Sequence, residues 1–326
     1  MKVFITGATG FVGSYTAKRM VDAGHEIYCL VRKTSKVDDL KKLGAKLVYG
    51  DVTDKASIVE GMKGCDWVIN LANLYVLWAI DRSLYTKVNI DGTRNVMEAA
   101  VETKVSKVLH VSTAGVYGHT TDCPFNEKSP MDPNFTVEYD RTKYEGEMIA
   151  WDFYREKKLP LVVINPGSIL GAGDDKASGE YIEDFLEQDL PGEVFPKSVI
   201  TFVYVKDVAE AIVRALEKKD NIGEKYLVGG APTAMGELNQ MLSEISGVPK
   251  PRKEFSDTYA AIAAAVLTAE AQYKKKKPDM QRDMAVVIRE GFNFDGSKAE
   301  RELGIKYTPI RIALEEAIAA YRLRKA

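Results

Sequence analysis

The chain has 326 residues, with 45 Lys plus Arg against 47 Asp plus Glu; this near balance excludes the strong basic field of a nucleic-acid or anionic-membrane binder and points to a small-molecule partner. That length suits one large α/β unit, or a nucleotide-binding part with a smaller substrate lobe. The three cysteines, Cys29, Cys65 and Cys123, are scattered without a C-x-x-C pair, which speaks against a disulfide framework or a metal site and for a reducing compartment, the cytoplasm.

Met1 leads directly into Val3-Phe4-Ile5, so no export leader is expected. β-branched runs then alternate with helical periodicity. Strands are predicted over 2–6, 26–32, 45–52, 66–72, 107–113 and 161–165, with helices over 14–23, 88–102 and 139–158. Such alternation predicts a doubly wound, Rossmann-type parallel sheet covered on both faces. Beyond Pro166-Gly167-Ser168 the pattern loosens, and 171–180 and 189–197 read as loops. Residues 203–217 and 225–229 again read as parts of the main sheet. The expected division is therefore a nucleotide-binding domain over 1–166, joined by 203–229, with an interleaved, smaller C-terminal substrate lobe from 167–202 and 230–326. The apolar stretch 259–267 is about half the roughly 20 residues a membrane span needs. The lysine run 274–277 reads as a solvated helix end.

Thr6-Gly7-Ala8-Thr9-Gly10-Phe11-Val12-Gly13 follows the first strand and opens the first helix. In that position Gly7 makes the tight turn, Gly10 lets backbone approach a pyrophosphate, and Gly13 allows helix and strand to pack closely. Thr9, Phe11 and Val12 complete the loop, and the helix N-terminus offers N–H groups to the phosphates. The second strand ends Leu30-Val31-Arg32-Lys33. No acid is present to accept the ribose hydroxyls of NAD, while Arg32 and Lys33 could hold a 2′-phosphate. NADP(H) is thus the preferred cofactor, with NAD(H) as the alternative.

Tyr-x-x-x-Lys occurs at Tyr139/Lys143, Tyr154/Lys158, Tyr273/Lys277 and Tyr321/Lys325. The first pair is singled out by position: it opens the helix after the fifth strand, which ends in Ser112-Thr113, at the sheet edge where open α/β folds bind ligands. A tyrosine with a lysine one helical turn away can exchange a proton with a carbonyl or alcohol oxygen once the cation favours the phenolate.

The Gly-x-x-Gly-x-x-Gly spacing resembles the short-chain dehydrogenase family. So, in the family's order, do Gly50-Asp51-Val52, Asn89-Ile90-Asp91-Gly92-Thr93-Arg94-Asn95, Val111-Ser112-Thr113-Ala114-Gly115-Val116-Tyr117-Gly118, Tyr139-Asp140-Arg141-Thr142-Lys143, Asn165-Pro166-Gly167 and Phe202-Val203-Tyr204-Val205-Lys206-Asp207-Val208-Ala209. Together they resemble the extended branch, the NAD-dependent epimerase/dehydratase superfamily. The resemblance implies that Tyr139 transfers the proton, that Lys143 lowers its pKa, and that Thr113 polarises the reacting oxygen with Ser112 in support. It places Asp51 and Val52 at the adenine, with Ala72 and Pro166 also against the cofactor, and gives Asn89 a supporting role, structural in preference to a proton relay. Family members commonly dimerise through crossover helices, so a homodimer is compatible.

Ala114-Gly115 stands where the family's dehydratases carry an Asp-Glu pair, which disfavours dehydration. Leu71-Ala72-Asn73-Leu74-Tyr75-Val76-Leu77-Trp78 and the segment from Phe294 to Gly304 resemble the dihydroflavonol reductase-like branch, including proteins labelled hopanoid-associated sugar epimerases. Leu74, Tyr75 and Trp78 are candidates for an apolar substrate wall, or else core residues. The leading expectation is an NADPH-dependent reductase of a ketone or aldehyde, acting on a small-molecule carbonyl or alcohol. A nucleotide-sugar epimerase with retained NAD(P) and a non-catalytic NADP-binding regulator are the alternatives.

Overall fold

A computed structural model describes residues 1–75, 81–120, 123–253, 255–274 and 282–326. Its elements in chain order are β1 (Lys2–Thr6), α1 (Phe11–Asp22), β2 (Glu26–Val31), α2 (Asp38–Lys42), β3 (Lys46–Tyr49), α3 (Lys55–Met62), β4 (Trp67–Asn70), α4 (Ser83–Tyr85), a π-helical turn (Thr86–Asp91), α5 (Gly92–Thr103) and β5 (Lys107–Val111). A 3-10 turn (Ala114–Tyr117), α6 (Glu138–Lys157), β6 (Leu161–Pro166), β7 (Ser168–Leu170), α7 (Ala177–Glu187), β8 (Val199–Tyr204), α8 (Val205–Glu217), β9 (Lys225–Val228), β10 (Ala231–Ala234), α9 (Met235–Ser246), α10 (Asp257–Lys274), α11 (Arg282–Glu290), α12 (Ser297–Leu303) and α13 (Ile310–Lys325) follow.

Among the described residues the main sheet is seven-stranded, in the order β3-β2-β1-β4-β5-β6-β9, and every pairing in it is parallel. The period-two alternation of its strands sorts side chains to two faces. Val3, Ile5, Ile27, Leu109, Val162 and Ile164 pack with α1, α8 and α12. Phe4, Val68, Val108, Leu161 and Val163 pack with α3, α5 and α6 on the other side. Each fully buried aliphatic or Phe side chain of these layers contributes about 1.5–3 kcal/mol.

A second sheet, β10-β8-β7, has its own core of Phe185, Ile200, Phe202, Leu238, Leu242, Ala260, Ile288 and Leu314, drawn from α7, α9, α10, α11 and α13. Phe294 and Phe292 bridge the two bodies, pairing with Phe125 and Ile200. None of the described helices is long and apolar enough to cross a membrane.

Three expectations change. Residues 203–204 complete β8 of the small sheet, so the return to the main sheet begins with α8 at Val205. The stretch 171–180 is not all loop, because α7 starts at Ala177; its apolar residues Ile182 and Phe185 face the small sheet's core. The helix expected from residue 88 starts at Ser83 and passes through a π turn, a widening that is common at functional sites.

Candidate active site

The strand order reverses between β1 and β4, the place where open α/β sheets hold ligands. Thr6 ties the two strand ends together. Its Oγ1 donates to Asn70 Oδ1 at 2.7 Å and accepts from the Ala72 amide at 3.1 Å. Gly7 has φ +75°, and a Cβ there would lie 2.7 Å from Ala72 N. At Gly13 a Cβ would lie 2.0 Å from the Gly7 carbonyl oxygen. Only glycine permits this approach of loop, strand and helix. No side chain caps α1, which leaves its first N–H groups for an anion.

A cleft of about 1230 Å³ runs from this loop to the small sheet. Gly7, Thr9, Gly10, Phe11 and Val12 line it, with Arg32, Asp51, Val52, Ala72, Leu74, Tyr75, Ser112, Thr113, Tyr139 and Pro166. The glycine cradle and the uncapped helix therefore fit a dinucleotide. Arg32 is exposed and lines the cleft, its amide bonded to Ser35 Oγ at 3.1 Å. Lys33 is also exposed, but it does not line the cleft; Lys36 does, one turn on in the same loop. Trp78 lies outside the described residues, as do 275–277 of the lysine run.

Thr113 lies two residues beyond the end of β5, not within the strand as expected, and caps the 3-10 turn, its Oγ1 accepting from the Gly115 amide at 3.2 Å. The Ser112 hydroxyl is buried without a hydrogen-bond partner among the described residues. Tyr139, in the first turn of α6, packs its ring on Tyr75 at 4.8 Å and an interplanar angle of 55°. Tyr75 thereby flanks the tyrosine, and Leu74 lines the same cleft. Asn89 is buried away from the cleft. It accepts from the Leu74 amide at 2.7 Å and donates to Thr142 Oγ1 at 3.0 Å, holding the Leu74 backbone to α6.

Lys143 departs from expectation. It is 3 % exposed, and its Nζ donates to the Val111 carbonyl at 2.8 Å, not to the Tyr139 hydroxyl. Burial lowers its pKa to about 8, opposed by Glu147 one turn farther along α6. Burial also pushes Tyr139 well above the usual tyrosine range, with Tyr75 and Asp140 adding to the rise. In this geometry desolvation decides, so Tyr139 keeps its proton.

Sequence reasoning missed Ser35 and Lys36 in the loop after Arg32, Asp140 next to the tyrosine in the chain, and Met284, Val287 and Phe292, all of which line the cleft. The basic run Arg32–Lys36 and the acid next to Tyr139 were legible as residues. The wall around α11 was not, because it reaches the site only through tertiary packing.

Sterol demethylase protein B of Methylococcus capsulatus is 29% identical over 333 residues, spanning 99% of this chain and 99% of that protein. The dihydroflavonol 4-reductase-like protein of Synechocystis sp. is 27% identical over 326 residues, covering 97% and 93%. The crystal structure of gox2253 matches with a TM-score of 0.86 and 33% identity, over 99% of this chain and 98% of that one. The NAD dependent epimerase/dehydratase family model matches residues 3–229. Because that match spans nearly all of the main sheet and its cleft-forming loops, the chain belongs to the NAD dependent epimerase/dehydratase family, the extended short-chain dehydrogenases/reductases.

Proposed function

We propose that the protein is an NADPH-dependent reductase of a ketone or aldehyde with a bulky, partly apolar body. The observation that carries this reading is the single cleft in which the glycine cradle, Thr113 and Tyr139 meet. Gly7, Gly10 and the opening of α1 would hold the pyrophosphate, Asp51 and Val52 the adenine, and Arg32 with Lys36 a 2′-phosphate. When bound, the nicotinamide supplies the hydride.

The chain's own residues do the rest. Thr113 directs its hydroxyl to the carbonyl oxygen, and Tyr139 delivers the phenolic proton to that oxygen as negative charge develops there. A tyrosine that burial keeps protonated suits the reducing direction. Lys143, anchored at the end of β5, places positive charge near the phenolate left behind. Leu74, Tyr75, Phe292 and Met284 offer an apolar wall. The full-length likeness to a dihydroflavonol 4-reductase-like protein supports a reductase.

The test is a fluorescence titration with NADPH and NADH, followed by NADPH oxidation across a panel of aryl and alicyclic carbonyls. Tighter NADPH binding that weakens on Arg32→Ala is expected, together with a kcat/KM loss of about 10²–10⁴ on Tyr139→Phe at unchanged NADPH affinity. Co-purified NAD without NADPH preference would overturn the cofactor assignment and favour an epimerase.

A further inference from the structure

We propose that the outer face of α10 docks on an anionic lipid bilayer, with an apolar stripe of that helix set into the headgroup boundary and the cations at its two ends against the headgroups. This goes beyond the reductase reading and does not depend on it.

Helix α10 turns its small residues inward and its large ones out. Ala260, Ala264 and Ala271 are buried, whereas Tyr259, Ile262, Val266 and Tyr273 are 57, 60, 59 and 90 % exposed. By helical periodicity those four fall within an arc of roughly 60°, and the three alanines lie on the opposite side. A surface helix ordinarily does the reverse, burying its large apolar side chains and exposing polar ones. The stripe runs about 20 Å along the helix. A tyrosine stands near each end of it, and such amphipathic rings suit a membrane–water interface. None of the described helices is long and apolar enough to cross a membrane, so α10 would lie in the plane of the surface.

Both ends of the stripe carry cations. Arg252 and Lys253, exposed and without an ion pair among the described residues, lie just before α10. Lys274 closes the helix, and the sequence continues Lys275-Lys276-Lys277, outside the described residues. Of the acids on α10, Glu270 pairs with Lys274, and Asp257 falls away from the stripe by helical position.

This sign pattern selects what covers the stripe. A second copy laid on the same face, parallel or antiparallel, would bring cations against cations at both ends. An anionic surface meets all of them. The balanced total charge does not oppose this, because the attraction is set within a Debye length of the helix. The face also has a place in the molecule. Helix α10 packs along α11, where Thr268 Oγ1 accepts from the Arg282 amide at 2.7 Å, and α11 lends Met284, Val287 and Ile288 to the cleft. The bilayer would thus meet the outer helix of the layer that walls the cleft.

The experiment is flotation of the full chain with vesicles of phosphatidylcholine alone and of phosphatidylcholine with phosphatidylglycerol at about three to one. The wild-type chain is expected to float with the anionic vesicles, to stay behind with the neutral ones, and to be released by rising salt. Tyr259→Ser/Ile262→Ser/Val266→Ser removes the stripe, and Arg252→Gln/Lys253→Gln/Lys274→Gln removes the described cations. Each triple variant is expected to weaken binding by at least about tenfold, with Tm unchanged because all of these side chains are exposed. Should the serine variant melt early, the glutamine variant decides. A wild type that ignores the anionic vesicles, binding indifferent to phosphatidylglycerol, or binding that survives the substitutions overturns the proposal. So does a dimer, seen by light scattering without lipid, that the serine variant dissolves, because the stripe then belongs to a second copy.

Discussion

Glu147 is fully buried one turn beyond Lys143, accepting from Trp151 Nε1 at 3.0 Å and Asn165 Nδ2 at 2.8 Å. Its carboxyl is also the group that opposes the fall in the Lys143 pKa. In Glu147→Gln one of those donors would face an amide N–H₂, so a loss of about 1–3 kcal/mol is expected. Because burial depresses the folded-state pKa of Lys143 to about 8, its charged form is penalised in full below that value. The penalty is relieved as pH rises toward the unfolded value near 10.5. Glu147→Gln should lower the folded pKa further and deepen the penalty at pH 7. Melting temperatures across this pH range check both effects; an unchanged Tm would show that Glu147 supports neither the network nor the lysine. At this scale the sequence marked Tyr139, Lys143 and Thr113 by type and position. The turn of Lys143 onto the Val111 carbonyl depends on a neighbouring strand end, which spacing within α6 does not reveal.

Among the elements, α8 shows how a helix end is secured by a side chain from a distant strand. Its C-terminal carbonyls at Ala215 and Leu216 lie 2.9 and 3.1 Å from Lys107 Nζ, a buried lysine at the start of β5. The same ammonium reaches the Lys218 carbonyl and Asn221 Oδ1 at 2.5 and 2.6 Å. A cation there also opposes the negative end of the helix dipole. Lys107→Met would keep the apolar stem but leave these acceptors unpaired, and a loss of about 2 kcal/mol or more is expected by chemical denaturation. At the other end of the same face, Gly13→Ala would drive a methyl group into the Gly7 carbonyl. NADPH binding should fall by at least about tenfold, since the loop must move off the helix N-terminus proposed to hold the phosphates; unchanged affinity in the titration would place the phosphates elsewhere. The main-sheet strands and α6 were legible from periodicity. Helix α7 was not, because its polar loop-like start, Ala177-Ser178-Gly179, becomes helical only where Ile182 and Phe185 can enter the small sheet's core.

For the whole molecule, the cleft lies between two cores that touch through the Phe125, Phe292 and Phe294 segment. A ligand filling it binds both bodies in the folded state and neither in the unfolded one. NADPH at about 100 times its dissociation constant should therefore add roughly 2.7 kcal/mol of stability. That corresponds to a Tm rise of about 5 °C or more, absent in Gly13→Ala. Differential scanning fluorimetry with NADPH and NADH reads this directly, and equal shifts for the two would remove the assigned role of Arg32.

The sequence by itself determined the parallel α/β sheet and the glycine loop at the end of β1, because both are written in local pattern: period-two burial and obligatory glycines. Tertiary structure alone decided which loop cation lines the cleft, that β8 serves the small sheet, and that Asp140 fills the space over Gly115. These depend on the approach of segments distant in the chain, where packing and desolvation, not local propensity, choose the arrangement.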